Sequence, residues 1–244
     1  MSKVVSRARC PKCAAAGNDT SGDNLAVYED GGKYCFACKY IERGVKAIVS
    51  NKPDETPATA NGLKFLSGDL QAISHRRINE DTVRKYGYET LVSQNKTVEI
   101  ASFYKDGIRI AQKLRGPNKS FQWRGQASNV PLWGQHLFKA RGGKMLIITE
   151  GEIDCMTVSQ LMNNKWPVVS LPNGAAGAAR SIKENLEFVS SYQEIILMFD
   201  QDEAGQEAVK AVAEILPPGK CKVARLPYKD PNECLMKGAG KSII

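Results

Sequence analysis

The sequence predicts an α/β protein with four parts: a small cysteine-rich β module, a flexible linker, a basic segment of mixed α+β structure, and a mainly parallel sheet covered by helices. Three observations carry this. Two Cys-x-x-Cys pairs, Cys10 with Cys13 and Cys35 with Cys38, flank β-prone runs near the amino end. The stretch SNKPDETPATANG, residues 50–62, holds two prolines and no large apolar residue. From Lys144 onward, short apolar runs alternate with helix-length stretches, the rhythm of parallel strands buried on both faces. The 244 residues have room for one large domain or two modest ones, and the expected divisions are 1–49, 50–62, 63–143 and 144–244.

The first module buries too little apolar area to fold alone. Leu25–Tyr28 and Lys33–Phe36 flank a Gly-rich turn and read as a hairpin carrying the second cysteine pair. CPKC and CFAC are separated by 21 residues. Four thiolates satisfy the tetrahedral preference of Zn²⁺ and form a closed structural site, one ion per chain. Metal binding then supplies the folding energy that the small core lacks. Redox use of the pairs is the weaker reading, because neither opens a thioredoxin-like βαβ unit. Residues 50–62 follow as a coil spanning roughly 20 Å root-mean-square.

In the next segment, Asn79–Tyr86 reads as a short helix capped by Asn79. Val98–Tyr104 and Ile108–Leu114 read as strands paired across Lys105-Asp106-Gly107. The net charge of +8 resides here: residues 63–143 carry 14 basic and 6 acidic residues, against 11 and 13 in residues 144–244. A basic belt beside an acidic segment suits a protein that grips a polyanion and holds a divalent metal next to it; an ordinary solvated face is the bland alternative. The stretch AQKLRGPNKSFQWRG interleaves Lys113, Arg115, Lys119 and Arg124 with Phe121 and Trp123. Cations for phosphates and aromatic faces for bases are what a single-strand or nucleotide groove requires. Arg76, Arg77, Arg84 and Lys85 extend the same track. Core packing competes as an explanation for Trp123 and more strongly for Trp133.

The last segment reads as strand Met145–Thr149, helix Ile153–Met162, strand Pro167–Leu171, helix Ala178–Val189, strand Ile195–Phe199, helix Glu203–Leu216 and strand Cys221–Leu226. Its acids sit where strands end. Glu150 follows one strand, with Glu152 and Asp154 just beyond; Asp200 and Asp202 follow another; Asp230 follows a third. Ligands of open α/β sheets bind at those ends. Gathered like charges are costly unless hard cations neutralise them, and Mg²⁺ takes a few carboxylates while keeping positions for water and phosphate oxygens. Singly, each acid is also a favourable helix-start residue.

Glu150-Gly151 and Asp200-Gln201-Asp202 resemble the signature of the topoisomerase–primase (TOPRIM) domain. With the Cys₄ module, the linker and the basic middle segment, nearly the whole chain resembles the primase half of the T-seven-like phage primase-helicases; TEGEID, MFDQDEAG and KDPNEC carry the likeness. The resemblance implies an RNA polymerase that joins ribonucleoside triphosphates into short RNA primers on a single-stranded DNA template. It implies Mg²⁺, with Mn²⁺ as a substitute, held by Glu150, Asp200 and Asp230. Glu150 would also accept the proton of the attacking 3′-hydroxyl, with Glu152, Asp154 and Asp202 in support. Lys113 and Lys119 match lysines that contact the incoming nucleotide, beside Arg115. A replicative helicase, fused or separate, and a DNA polymerase are the implied partners, in the cytoplasm of a bacterial host. The zinc hairpin departs from the family: Gly32 and Lys33 occupy the turn where a template-reading histidine is usual.

Other signals are weaker. No apolar run approaches the roughly 18 residues that span a bilayer, and the amino terminus lacks the apolar core of a secretory signal. Seven cysteines in that context argue for a reducing compartment, with Cys155, Cys221 and Cys234 read as buried thiols. Gly238-Ala239-Gly240-Lys241-Ser242 imitates the end of a phosphate-binding loop, but Leu235 stands where its first glycine belongs, so no helicase activity is expected of this chain. His75 and His136 are isolated and receive no catalytic role. Two rival functions use the same features. One is a TOPRIM nuclease that cuts phosphodiesters; the other is a non-catalytic zinc adaptor that only binds single-stranded DNA.

Overall fold

The structure, a computed structural model, describes residues 4–29, 32–42, 64–93, 96–117, 120–139 and 143–244. The proposed linker and Lys119 therefore lie outside the described residues. The chain forms two units, Met1–Glu55 and Thr56–Ile244.

In the first unit, β1 (Val4–Ala8), β2 (Leu25–Tyr28), β3 (Lys33–Cys35) and β4 (Ile41–Glu42) form one antiparallel sheet in sequential order. The expected hairpin is β2 with β3, and Cys35 closes it opposite Leu25. The short helix α1 (Pro11–Ala15) starts at a proline, whose fixed φ and missing N–H suit a first helical position. Among the described residues, the buried apolar cluster of this unit is Cys10, Cys13, Leu25 and Cys35, too few to hold a fold by apolar burial alone.

The second unit has two sheets. α2 (Glu80–Tyr86) has the expected cap, with Asn79 Oδ1 accepting from Thr82 N–H at 2.9 Å, and it stops at Gly87 in the left-handed region, φ 63°. An antiparallel sheet follows: β5 (Tyr88–Ser93), β6 (Lys96–Lys105), β7 (Ile108–Arg115) and β8 (Phe121–Gly125). β6 and β7 are joined by Asp106 at φ 51° and Gly107 at φ 81°, the two positive φ values that a tight two-residue hairpin demands.

The remainder is a parallel sheet, β9 (Met145–Thr149), β10 (Val168–Ser170), β11 (Glu194–Met198) and β12 (Cys221–Val223), in the order β10-β9-β11-β12. Its helices are α3 (Glu152–Leu161), α4 (Ala178–Glu184), α5 (Leu186–Ser190), α6 (Glu203–Ala213) and α7 (Pro231–Met236). The pleat sends alternate residues of β9 to opposite cores. Ile147 joins Tyr86, Tyr88, Phe103, Trp133 and Met156, whereas Leu146 and Ile148 join Ile182, Val189, Leu197 and Val212. The first of these cores fuses the antiparallel sheet and α2 to the parallel sheet.

Three expectations are corrected. The helix over 178–189 is two helices, broken at Asn185, whose side chain turns back to the Ser181 carbonyl at 2.9 Å. The last strand ends at Val223 rather than Leu226; it is an edge strand with a single partner, β11. For the same reason Cys221 is only half-buried, unlike Cys155 and Cys234.

Trp133 is fully buried, stacked on Tyr86 at 5.0 Å and edge-on to Tyr88 at 5.8 Å, so it is a core residue. Trp133→Ala is expected to lower the unfolding free energy of the second unit by about 3–5 kcal/mol. Urea denaturation followed by circular dichroism checks this.

Candidate metal centres and nucleotide cleft

In the first unit the four cysteine sulfurs lie within 4.8 Å of one another. Cys10 Sγ is 3.6 Å from Cys38 Sγ, and Cys13 Sγ is 3.6 Å from Cys35 Sγ. A tetrahedron with sulfur about 2.3 Å from a central ion has edges of roughly 3.8 Å, so the set fits one metal ion. Buried Asp19 braces the first knuckle by accepting from Cys10 N–H at 2.6 Å and Gly22 N–H at 3.0 Å. The Cys38 N–H holds the Cys35 thiol down at about 7. The crowding sulfurs, Cys38 first, push Cys13 up to about 12. Metal-free, the cluster resists gathering four thiolates; a cation removes that cost.

In the second unit the carboxyl ends of the parallel strands open into a cleft of about 440 Å³. Glu150 stands directly after β9, and Asp200 stands two residues after β11. Asp230 is seven residues past β12, yet a hydrogen bond from Gln201 N–H to the Lys229 carbonyl, 2.7 Å, returns it to the rim. Glu150, Glu152, Asp154, Asp200 and Asp230 all line this cleft, with Arg76, Lys113, Arg115, Phe121 and Trp123.

Each acid is held differently. Glu150 Oε1 accepts from Ala175 N–H at 3.2 Å, while its buried Oε2 has no hydrogen-bond partner among the described residues. The strap that supplies this amide turns at Gly174, φ 60°. Glu152 is paired with Lys113 at 2.9 Å, both nearly buried. Asp230 caps α7 by accepting from Glu233 N–H at 2.6 Å. Asp202 turns away from the cleft to cap α6, accepting from Gly205 N–H at 3.0 Å and pairing with Lys229 at 2.9 Å. Gly205 is obligatory there, since a Cβ would stand 2.1 Å from the Asp200 carbonyl oxygen.

Burial, reinforced by the charges of Asp230, Asp200 and Glu150, raises Asp154 to about 8. Burial and the charges of Glu150, Asp230 and Asp202 raise Asp200 to about 7. Repulsion across the cleft thus couples the three strand ends. Among the described residues only the cysteine sulfurs approach within 4.8 Å as a group. The carboxylates do not form such a group. The unpartnered Glu150 oxygen is a ready ligand.

The basic residues divide. Lys113 lies 4.9 Å from the Phe121 ring centroid, beside Glu152. Arg115 faces Glu99 at 3.6 Å, and Glu99 also accepts from Tyr88 Oη at 3.0 Å. Trp123 is half-buried and packs on Phe103 at 5.0 Å, while Phe121 is 51% exposed. Arg124 donates to the Lys64 carbonyl at 3.0 Å. Arg84 pairs with Glu80 along α2. Lys85 is no part of a surface track: its Nζ donates to Ser159 Oγ and the Asn164 carbonyl, both at 3.1 Å. Arg77 is exposed in a left-handed turn, φ 55°. Burial lowers His136 to about 4, and the ring packs on Tyr104. Sequence reasoning missed two features, the Pro172–Ala175 strap and Asn232. The Pro-Asn-Gly at 172–174, a turn signal directly after a strand, was the available clue to the first.

A parallel sheet with Glu-Gly after one strand, Asp-x-Asp after another, and Glu150 and the first of those aspartates at a common rim defines a protein of the TOPRIM class. A Toprim-like family model matches residues 147–235, and the model of the bacteriophage T7 DNA helicase/primase N-terminal α+β fold matches residues 68–125. The DNA helicase/primase of Enterobacteria phage T3 is 35% identical over 246 residues, covering 97% of this chain and 42% of that protein. The chain thus spans less than half the length of that relative. The primase fragment of the bacteriophage T7 primase-helicase superposes with a TM-score of 0.70 at 34% identity, over 99% of this chain and 98% of that one. Primase domains in a complex with the T7 lagging-strand DNA polymerase, an RNA/DNA hybrid and dTTP give 0.68 at 40% identity, over 72% of this chain and 89% of that one. The Aquifex aeolicus primase, at 16% identity and TM-score 0.53 over 98% of this chain and 78% of that one, shares the fold. This chain belongs to the phage primase-helicase family represented by those of T7 and T3.

Two outcomes follow from the electrostatics. Asp154 and Asp200 titrate higher folded than the ordinary carboxylate value of 3.8, so the folded state holds protons that the unfolded chain releases. Their contribution is complete below about pH 4 and is lost as pH rises through about 7 and 8. Without added divalent metal, the thermal midpoint of the second unit should fall from about pH 4 to about pH 8 and level off above that, and millimolar Mg²⁺ should offset the fall. For the first unit, Cys35→Ala should abolish metal binding and the unit's ordered structure, checked by metal analysis and amide dispersion in NMR.

Proposed function

We propose that the chain is a DNA primase that synthesises short RNA primers on single-stranded DNA during phage replication. The observation that carries this reading is the convergence of acids from three strand ends on a cleft that basic and aromatic side chains also line. Family membership supports it.

In this reading Zn²⁺ occupies the Cys10, Cys13, Cys35 and Cys38 site as a structural ion, and Glu150, Asp200 and Asp230 hold Mg²⁺, or Mn²⁺ in its place. The magnesium supplies charge neutralisation of the triphosphate and activation of the in-line hydroxyl. Glu150 is also assigned as acceptor of the proton of the attacking 3′-hydroxyl. Glu152 orients Lys113, which together with Arg115 holds the triphosphate of the ribonucleotide; Lys119 is assigned to the same task by its place in the motif. Asp154 and Asp202 shape the field around Asp200. Phe121 offers its exposed face to a base.

The module 1–49 is proposed to hold template and nascent primer, tethered by residues 50–62 to the polymerase body formed by 63–143 and 144–244. Lys33 is paired with Glu42 at 2.5 Å, so a lysine charge engaged within the module stands where a template-reading histidine is usual; the preferred start sequence should differ accordingly. A replicative helicase and a DNA polymerase are the proposed partners, in the host cytoplasm. Among the described residues no helix is long and apolar enough to cross a membrane.

Asp200→Ala should abolish dinucleotide synthesis on a randomised single-stranded template pool while bound zinc stays near one per chain. Undiminished synthesis by this variant would overturn the metal assignment. Cleavage of labelled DNA with Mg²⁺ and no nucleotides would favour a nuclease.

A further inference from the structure

Asn232 is a fully engaged polar side chain in the lining of the cleft. It lies on α7, two residues after Asp230, and is 2% exposed. Its Nδ2 donates to the Arg76 carbonyl and to Thr157 Oγ1, both at 3.0 Å, and its Oδ1 accepts from Arg76 Nη1 at 3.4 Å. Its backbone N–H donates to Asp154 Oδ1 at 3.1 Å. One residue thus ties the helix of Asp230 to the helix of Asp154 and to the turn that carries Arg76.

Arg76 borders two spaces. It lines the acidic cleft, and it lines a second cavity of about 680 Å³ along the antiparallel sheet, bordered also by His75, Lys96, and Arg115 with its partner Glu99. Its charge is treated differently from those of its neighbours. Lys113, Arg115 and Lys229 each face a carboxylate, whereas among the described residues no carboxylate pairs with Arg76. A neutral amide orients a guanidinium without cancelling its charge; a carboxylate would do both.

We propose that Asn232 is a positioning residue that holds Arg76, uncancelled, at the junction of the two cavities to bind phosphate oxygens of a polynucleotide or a nucleoside triphosphate. The identity of the ligand rests on the primase reading. The buried amide serves this end because its other bonds fix α7 in register with α3, so the phosphate clamp and the Asp230 carboxylate move as one piece.

The test uses the full chain and its Asn232→Ala, Arg76→Ala and double variants. Binding of a labelled single-stranded oligonucleotide is measured against salt concentration, and KM for ribonucleotide is measured separately from kcat. If the ligand is the strand, Asn232→Ala and Arg76→Ala each reduce the slope of log affinity against log salt by about 0.7, the value of one single-strand phosphate contact. If it is the triphosphate, KM rises roughly 10- to 100-fold, as for loss of an outer-shell support. In both cases the double variant is no worse than Arg76→Ala alone. An unchanged slope and KM in Asn232→Ala, or full additivity in the double variant, overturns the proposal. Should Asn232→Ala fail to fold, Asn232→Asp keeps an acceptor for Arg76 but cancels its charge, and the same losses are expected; wild-type behaviour of that variant overturns the proposal. Wild-type protein that makes no primers would refute the primase reading, and direct binding of the oligonucleotide and of a ribonucleoside triphosphate, compared between wild type and the variants, would still decide this one.

Discussion

Mutual repulsion among carboxylates at the edge of the parallel sheet is the constraint on which the second unit depends. Five acids face one cleft, and two of them, Asp154 and Asp200, are pushed far above their ordinary range by burial first and then by neighbouring carboxylates, Glu150 and Asp230 among them. The fold offsets part of this internally. Lys113 neutralises Glu152, Lys229 neutralises Asp202, and backbone amides hold one oxygen each of Glu150 and Asp230. What is left over, among the described residues, is the buried Glu150 Oε2, which no hydrogen-bond donor of the protein satisfies. A cation placed there would relieve a cost already incurred on folding.

Holding repelling groups together requires a rigid frame, which burial of the parallel sheet on both faces provides. β9 contributes side chains to two cores at once, so it cannot shift without disturbing both. The aromatic set of Tyr86, Tyr88 and Trp133 locks α2 and the antiparallel sheet against the same strand layer. The basic wall of the cleft is therefore attached to the acidic wall by apolar packing, and Asn232 adds a polar tie between them. The amino-terminal module follows the opposite logic: with almost no apolar core, its four sulfurs are its organising contact.

Much of this was legible in the chain itself, where local chemistry and pattern agree. The Asn79 cap, the Asp106-Gly107 turn, the cysteine spacing and the apolar runs of β9, β10 and β11 each specify structure within a few residues. The positions of Glu150 and Asp200 were readable for the same reason, since a strand's end determines which way its next residue faces. Less legible were the features whose cause lies elsewhere in the fold. β1, β5 and β8 carry weak patterns and exist because a neighbouring strand offers hydrogen bonds. The helix break at Asn185 depends on a side chain that returns to the preceding turn.

The sequence by itself determined the inventory: which acids stand at strand ends, which thiols share a metal-ligand spacing, and where the excess of positive charge lies. Only the tertiary structure decided how those groups are used. It turned Asp202 into a helix cap, drew Lys85 into an internal hydrogen-bond cluster, and carried Asp230 back to the rim through the Gln201–Lys229 bond. It also joined Arg76 to Asn232 across 156 residues of chain. Pattern records what a residue can do with its neighbours in sequence, whereas partners brought in by long-range packing leave no local trace.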